Sequence, residues 1–559
     1  MKLKLLITAV VVAVTAVACS PAKEDITPIK AEANRIQAHL EFLANDLLEG
    51  RDSGKRGHEI AAAYIEAQFK ALGLKPAGTD GYYQRVPLRT ARLVPDSAKF
   101  TLHDGDNNIE MPFPRAFLSS PSTLSEHREV TAPLVFVGYG IVSDEFDIDD
   151  YAGLDVEGSI VVMLAGRPDF LPSEEAAHIN SIKTELAVER GAVGIISVHT
   201  PKAEEVVPFD VRRMYARSPR VRWLNSDGVP HGEYEQIKGS ALVHYEEADA
   251  LFARSDISLE RVWEQMAADE MPTGAPLNLS ASLSVRSTFE EIDSPNVIAM
   301  LEGSNPDVNN EVILYTAHAD HIGVLESFSE EKQINNGAMD NASGVAVMLE
   351  TARMFVEAGK QGQPLGRSIM FAAVTAEERG LLGADYFANN PTVPVENIVA
   401  NVNLDMPVLL YDFADVVAFG SNHSSLGHIV ADAAELNGIK LSEDPMPEQA
   451  LFTRSDHYAL VKQGIPAVFL MTGFESKNEN EDGGEIWGQF FAEHYHRPGD
   501  DLATLNEKFG GIRYEAGAAF TQINYDIGRV IANDRERPSW HPESYFGRVF
   551  AGGEGSIRH

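Results

Sequence analysis

From Asn296 onward, short apolar runs recur along the chain at Val297–Leu301, Val312–Thr316, Ile369–Thr375, Val399–Leu404 and Ala467–Leu470, with helix-patterned segments between them. Apolar runs this short, bounded by turn residues, read as buried strands, and their alternation with helices dictates a sheet covered by helices on both faces. In such a fold the polar groups that meet in one crevice lie at strand ends and in the loops that leave them. Those are the places to look for chemistry.

Three polar motifs sit where an apolar run ends: Thr316-Ala317-His318-Ala319-Asp320, Thr375-Ala376-Glu377-Glu378 and Asn403-Leu404-Asp405-Met406. A fourth, Asp340-Asn341-Ala342-Ser343-Gly344, precedes an apolar helix, and a fifth, Tyr495-His496-Arg497-Pro498, falls late in a loop. Each alone is weak, because histidines and carboxylates at strand ends are commonly solvated or capping groups. Together they offer histidines and several acids, a donor set suited to a borderline divalent ion such as zinc. The one cysteine, Cys19, lies in the leader, so disulfides, thiolate catalysis and Cys-ligated zinc are excluded by counting. Neither Gly-x-Ser-x-Gly nor His-Glu-x-x-His occurs, which argues against a serine hydrolase and a single-metal zincin.

In their order and contexts these motifs, together with Leu48-Glu49-Gly50-Arg51 near the N-terminus, resemble the M28 family of di-zinc aminopeptidases with a bacterial leucyl-aminopeptidase-like catalytic fold. The resemblance implies that His318 and Asp405 terminate one metal, Glu378 and His496 the other, and Asp340 bridges the two. Glu377 resembles the general base, Tyr495 the residue that stabilises the oxyanion, and Arg454 a substrate-positioning arginine. Asp320 is expected to accept a hydrogen bond from the second ring nitrogen of His318. His457, in Ser455-Asp456-His457, is the main rival to His496 and His494 a weaker one, whereas His321 is read as structural. Relatives often carry a cis peptide after the bridging aspartate, here Asp340-Asn341.

The N-terminal residues have the pattern of an export signal: Lys2 and Lys4 precede an apolar run, Leu5 to Ala18, too short to span a bilayer. Ala16-Val17-Ala18-Cys19 resembles a lipobox, with Ala16 where Leu is usual. This implies a lipid on Cys19 and export, either to the periplasmic face of an outer membrane or as a secreted protein. Apolar spacing predicts helices over Ile36–Leu48 and Glu59–Leu72, the second stopped by Gly73 and Pro76. Apolar β-type runs at Leu134–Val137, Ile160–Leu164 and Val193–Val198, with a helical stretch from Ile182 to Arg190, resemble a protease-associated domain, whose signature includes Val188 to Ile196.

The expected organisation is a signal peptide (1–19), a linker (20–29), an N-terminal part of the catalytic domain (30–115), the insert (116–255), a return segment (256–285), the catalytic domain (286–535) and a tail (536–559). The expected fold class is α/β: a three-layer αβα zinc-exopeptidase unit with a mixed sheet, plus a small α/β insert. A net charge of −37 repels nucleic acid and anionic lipid surfaces, so membrane contact is expected only through Cys19. The resemblance implies hydrolysis of peptides with a free N-terminus using two zinc ions, with other divalent metals open. Carboxypeptidase or dipeptidase action on the same site, and a receptor-like lipoprotein without catalysis, are the alternatives. Oligomeric state and the preferred N-terminal residue are not legible.

Overall fold

The computed structural model describes residues 28–325, 333–363 and 365–552. The leader and Cys19 lie outside them. A mixed sheet forms the centre of the larger unit, in the spatial order Arg220–Trp223, Tyr83–Leu93, the second half of Ala275–Leu301, Ser368–Val374, Val312–His318, Ile398–Leu404, Ala467–Thr472, Asp415–Phe419 and Lys440–Ser442. The strands Ser368–Val374, Val312–His318, Ile398–Leu404 and Ala467–Thr472 run parallel and are buried along their whole length. That is why they read as unbroken apolar runs rather than as alternating patterns.

One face is covered by the helices Ala33–Leu43, Arg56–Leu72, Gly344–Lys360, Leu426–Leu436 and Tyr514–Asn533, which share a single core with it. In Arg56–Leu72 the buried residues Ala61, Ala62, Ile65 and Phe69 fall on one stripe, and Gly73 ends the helix at φ +81°. The opposite face packs Leu382–Asn389 and His457–Val461 over Ile298, Leu314, Met370, Ala372 and Ile398. The result is the expected three-layer arrangement.

A second sheet, in the order Asn107–Met111, Lys99–Asp104, the first half of Ala275–Leu301, His127–Phe136, Ile160–Leu164, Gly194–Val198, Gly239–Val243 and Phe117–Leu118, has a core on each face. It extends on both sides of the 116–255 segment, taking in Lys99–Met111 and the residues that were read as a return segment. Conversely Arg220–Trp223, inside that segment by sequence, pairs with Leu88–Ala91 of the first sheet. The two sheets share one strand of 27 residues, Ala275–Leu301, whose burial alternates in its first half and is unbroken from Ser294 to Ala299.

Between the units, His178 Nδ1 lies 2.5 Å from the Tyr458 hydroxyl and His423 Nε2 lies 2.5 Å from Glu174 Oε2. Arg548, in the C-terminal helix Tyr545–Phe550, bonds Glu145 of the smaller unit at 2.7 Å. Among the described residues no helix is long and apolar enough to cross a membrane.

Candidate metal centre

His318 ends its strand and Asp405 immediately follows Ile398–Leu404, the next strand of the sheet. Parallel pairing therefore delivers both side chains to the same edge. His318 Nε2 lies 3.1 Å from Asp405 Oδ1 and 3.2 Å from Asp340 Oδ1. The second oxygen of Asp340 lies 3.2 Å from His496 Nε2, which is also 3.1 Å from Glu378 Oε2. One carboxylate thus faces two donor groups, one through each oxygen.

Asp340 is aimed by its surroundings. Gly337, at φ +59°, opens the turn, and a Cβ there would fall 2.1 Å from Asp340 O and 2.6 Å from the His321 ring. Asp500 accepts the amides of Met339 (2.9 Å) and Asp340 (3.0 Å). The Asp340–Asn341 peptide is cis, as the resemblance implied, and the Asn341 amide bridges the two ligand segments. Its Nδ2 donates to Leu404 O at 3.0 Å, and its Oδ1 accepts from Gly344 N at 2.9 Å and Met406 N at 3.0 Å. On the other flank the buried Arg51 guanidinium donates to carbonyls of Leu43, Asn336, Gly337 and Ala319, tying the N-terminal turn to the loop before Asp340 and to the residue after His318.

Asp320 has a different task from the expected one. His318 Nδ1 is 3.2 Å from the backbone carbonyl of Asp320, while the carboxylate is 3.9 Å away. The carboxylate instead accepts from Ser53 Oγ (3.1 Å), Glu377 N (3.1 Å) and Glu378 N (3.4 Å), so it holds the backbone that presents the two glutamates. Asp405 is oriented by Ser455, whose hydroxyl donates to its Oδ2 at 2.5 Å.

His321, read from sequence as structural, stands inside the constellation. Its Nδ1 is 2.6 Å from Glu378 Oε1 and 3.9 Å from Asp340 Oδ2, and the ring is fully buried. Among the described residues two groups are close enough to hold an ion: His318, Asp340 and Asp405, and His321, Asp340 and Glu378. His496 reaches the second pair of carboxylates from the more open side, 36% exposed. His457 is brought to neither group. It is sealed between Phe452 and Phe469 with ring centroids 5.2 and 5.4 Å away, and burial drives its pKa down to about 3. His494 is likewise apart, edge-on to Phe509 at 5.5 Å.

The charge pattern fits cations. Asp320, Asp340, Glu377, Glu378, Asp405 and Asp456 crowd one site, and buried like charges of this kind are costly without a counter-charge. Burial opposes ionisation of Asp340, yet the hydrogen bonds with His318 and His496 and the charge of His321 hold it well below the usual carboxylate range. Glu378 is lowered in the same way, against burial, by His496 and His321. Glu377 goes the other way: burial, with Asp405, Glu378 and Asp456 nearby, pushes it well up despite the attraction of His318. Two adjacent glutamates are thereby driven in opposite directions, a separation typical of catalytic sites. Carboxylate and imidazole donors in two triads sharing Asp340 fit a pair of divalent ions.

Tyr495 stacks on His496 at 3.8 Å between centroids, and its hydroxyl is 3.4 Å from Arg454 Nη2. A recess beside His318, Asp340, Glu377 and Asp405 is walled by Met406, Leu451, Phe469, Met471 and Phe491, with Arg454 and Tyr495 at its rim. A large cleft of about 2420 Å³ between the two units is lined by Glu377, Glu378, Tyr495 and His496 on one wall and by residues of the smaller unit on the other.

Residues 296–514 match the model of Peptidase family M28. Leucine aminopeptidase 2 of Trichophyton rubrum is 29% identical over 239 residues, covering 41% of this chain and 44% of the relative, so that match spans less than half of the relative's length. The probable leucine aminopeptidase 2 of Aspergillus oryzae is 27% identical over 489 residues, covering 84% of this chain and 79% of its own. Among solved structures, an aminopeptidase from Aneurinibacillus sp. strain AM-1 superimposes with a TM-score of 0.50 at 20% identity, covering 90% of this chain and 94% of that one, and shares the fold. The region matched to the Peptidase family M28 model spans every motif from His318 to His496, so this part of the chain is similar to that family.

Proposed function

We propose that the chain is an aminopeptidase that removes N-terminal residues from peptides, using two zinc ions held by His318, Asp340 and Asp405 and by Asp340, Glu378 and His496. The observation that carries this reading is the two-sided placement of Asp340, with one oxygen 3.2 Å from His318 and the other 3.2 Å from His496. The leucine aminopeptidase relatives support the peptide-bond specificity. When bound, the ions supply a water of lowered pKa and polarise the scissile carbonyl.

Glu377 takes the proton of the attacking water and returns it to the leaving amine. Its depressed acidity suits that exchange, and its backbone amide is pinned 3.1 Å from Asp320 Oδ1. Tyr495 donates from its hydroxyl to the developing oxyanion, and Arg454, beside that hydroxyl, orients the substrate. The carboxylates around Asp340 attract the free α-amine. The recess of Met406, Leu451, Phe469, Met471 and Phe491 takes the first side chain and favours an apolar one. Burying a leucine-sized group is worth about 1.5–3 kcal/mol, so leucyl substrates should exceed alanyl ones in kcat/KM by roughly tenfold or more.

The purified protein should hydrolyse leucyl anilide, lose that activity to a chelator and regain it with zinc. Peptides blocked at the N-terminus should be inert while those amidated at the C-terminus remain substrates, and the reverse pattern would establish a carboxypeptidase. Export and lipidation at Cys19 complete the proposal. Cys19→Ser should move the protein from the membrane fraction to the soluble one, and unchanged partitioning would remove the anchor.

A further inference from the structure

The strand Arg220–Trp223 leaves the smaller unit to pair with the edge of the catalytic sheet, and its two faces have opposite characters. Val221 and Trp223 are buried against Ala376 and Leu382, so the strand is packed onto the loop that carries Glu377. Arg220 and Arg222 occupy the alternate face, and both line the cleft whose other wall holds Glu377, Glu378, Tyr495 and His496.

Neither guanidinium is neutralised at contact distance by a described residue. Arg222 donates only to its neighbour's carbonyl, Val221 O, at 3.0 Å, and Arg220 Nε is buried with no hydrogen-bond partner. The acids nearby are engaged elsewhere. Asp385 accepts from Trp223 Nε1 at 2.8 Å and Lys462 Nζ at 2.9 Å, and Glu291 pairs with Arg89 at 2.6 Å. Glu233 is close enough to attract Arg220, but its oxygens receive Ser122 Oγ (3.0 Å), Thr123 N (3.0 Å) and Thr123 Oγ1. In a chain with 83 acidic residues against 46 basic ones, two adjacent, partly desolvated arginines without a contacting carboxylate form a site for an incoming anion.

Resting on the aminopeptidase reading, we propose that Arg220 and Arg222 are a subsite for a carboxylate of the peptide substrate, downstream of the bond that is cut. The carboxylate is either the C-terminus of a short peptide or an acidic side chain. Planar guanidinium pairs match carboxylate geometry, and the position across the cleft from the metal ligands is where the departing part of a peptide lies.

The test compares kcat/KM for Leu-Ala-Ala with its C-terminal amide, and for Leu-Ala-Glu-amide with Leu-Ala-Gln-amide. A charge-assisted pair should favour the carboxylate form by about tenfold in at least one comparison, and the preference should shrink as salt is raised. The first comparison reports the terminus and the second the side chain. In R220Q/R222Q the ratio should fall to near unity, and in R220K/R222K most of it should persist. Because each ratio is taken within one protein, a general loss of rate does not mask it. If the glutamine variant does not fold, the wild-type ratios and their salt dependence decide. Ratios near unity in the wild type, or a preference that survives the glutamine substitutions, overturn the subsite while leucyl anilide is still cleaved. Failure to cleave leucyl anilide under any zinc condition overturns the aminopeptidase reading, and the subsite with it.

Discussion

Glu378 is approached by two imidazoles through different oxygens, His321 at Oε1 and His496 at Oε2. Under the proposed ligand set, His496→Ala should lose one of the two ions while His321→Ala keeps both. Metal content measured after dialysis checks this, and the opposite result would transfer the ligand role to His321. Glu377→Gln should retain both ions yet lose about 10²- to 10⁴-fold in kcat, since only proton transfer is removed. A variant with near-normal turnover would take Glu377 out of the chemistry. The Asp500 carboxylate accepts the amides of Met339 and Asp340, and its carbonyl accepts that of Ala338, so the residue acts on the backbone that presents Asp340. Asp500→Asn should therefore weaken metal binding by about 10- to 100-fold, measured by competition with a chelator.

At the scale of elements, the helix Ser173–Ser181 meets the catalytic unit through His178, which is buried among Tyr458, Tyr545 and Phe550. Burial, aided by the positive charge of Lys462, lowers the His178 pKa to about 4. The folded state refuses a proton that the unfolded chain accepts at pH 6.5, so stability falls as pH drops from 6.5 toward 4. The loss at the bottom of that window is on the order of 3 kcal/mol. His178→Gln should flatten the melting temperature between pH 7 and about pH 4.5 relative to wild type, while an unchanged slope would assign the acid sensitivity elsewhere.

Elements differed in how plainly they could be read. Strands such as Val312–His318 and Ile160–Leu164, buried on both faces, announced themselves as apolar runs, and the stripe of Arg56–Leu72 with Gly73 behind it marked that helix. Ala275–Leu301 was not legible as one strand, because it contains Pro276 and Pro295, alternates in its first half and is continuously apolar only near its end. Of the proposed ligands, His318, Glu378 and Asp405 were readable because they sit at or just after strand ends, and Asp340, before a helix, and His496, in a loop, by their local motifs alone. His321 was underrated because what it faces, Glu378, lies 57 residues away (378 − 321) and comes near only through the loop after the next strand. Asp320 had the right neighbourhood but another set of partners, since a backbone carbonyl, invisible to sequence pattern, took the place at His318.

For the whole molecule, under the proposed ligand set, the concentration of buried carboxylates would make bound ions part of the stability of the larger unit. Removing them with a chelator should lower the melting temperature, and adding zinc should restore it, through binding that favours the folded chain. A melting temperature indifferent to metal would mean that the carboxylates are neutralised by protons instead. The acidic surface adds a general term, since self-repulsion at a net charge of −37 is screened by salt.

The strand Ala275–Leu301 lies between Lys99–Asp104 and His127–Phe136 in one sheet, and between Tyr83–Leu93 and Ser368–Val374 in the other. Neither half of the molecule is therefore a separable module. A fragment ending before residue 275 leaves a gap in the middle of its own sheet, and a deletion of the smaller unit that keeps the larger must splice into the interior of a paired strand. Grafting or shuffling this protein by cutting at apparent insert boundaries should yield insoluble pieces, because any block that carries the smaller unit ends inside Ala275–Leu301 and takes Arg220–Trp223 away from Leu88–Ala91.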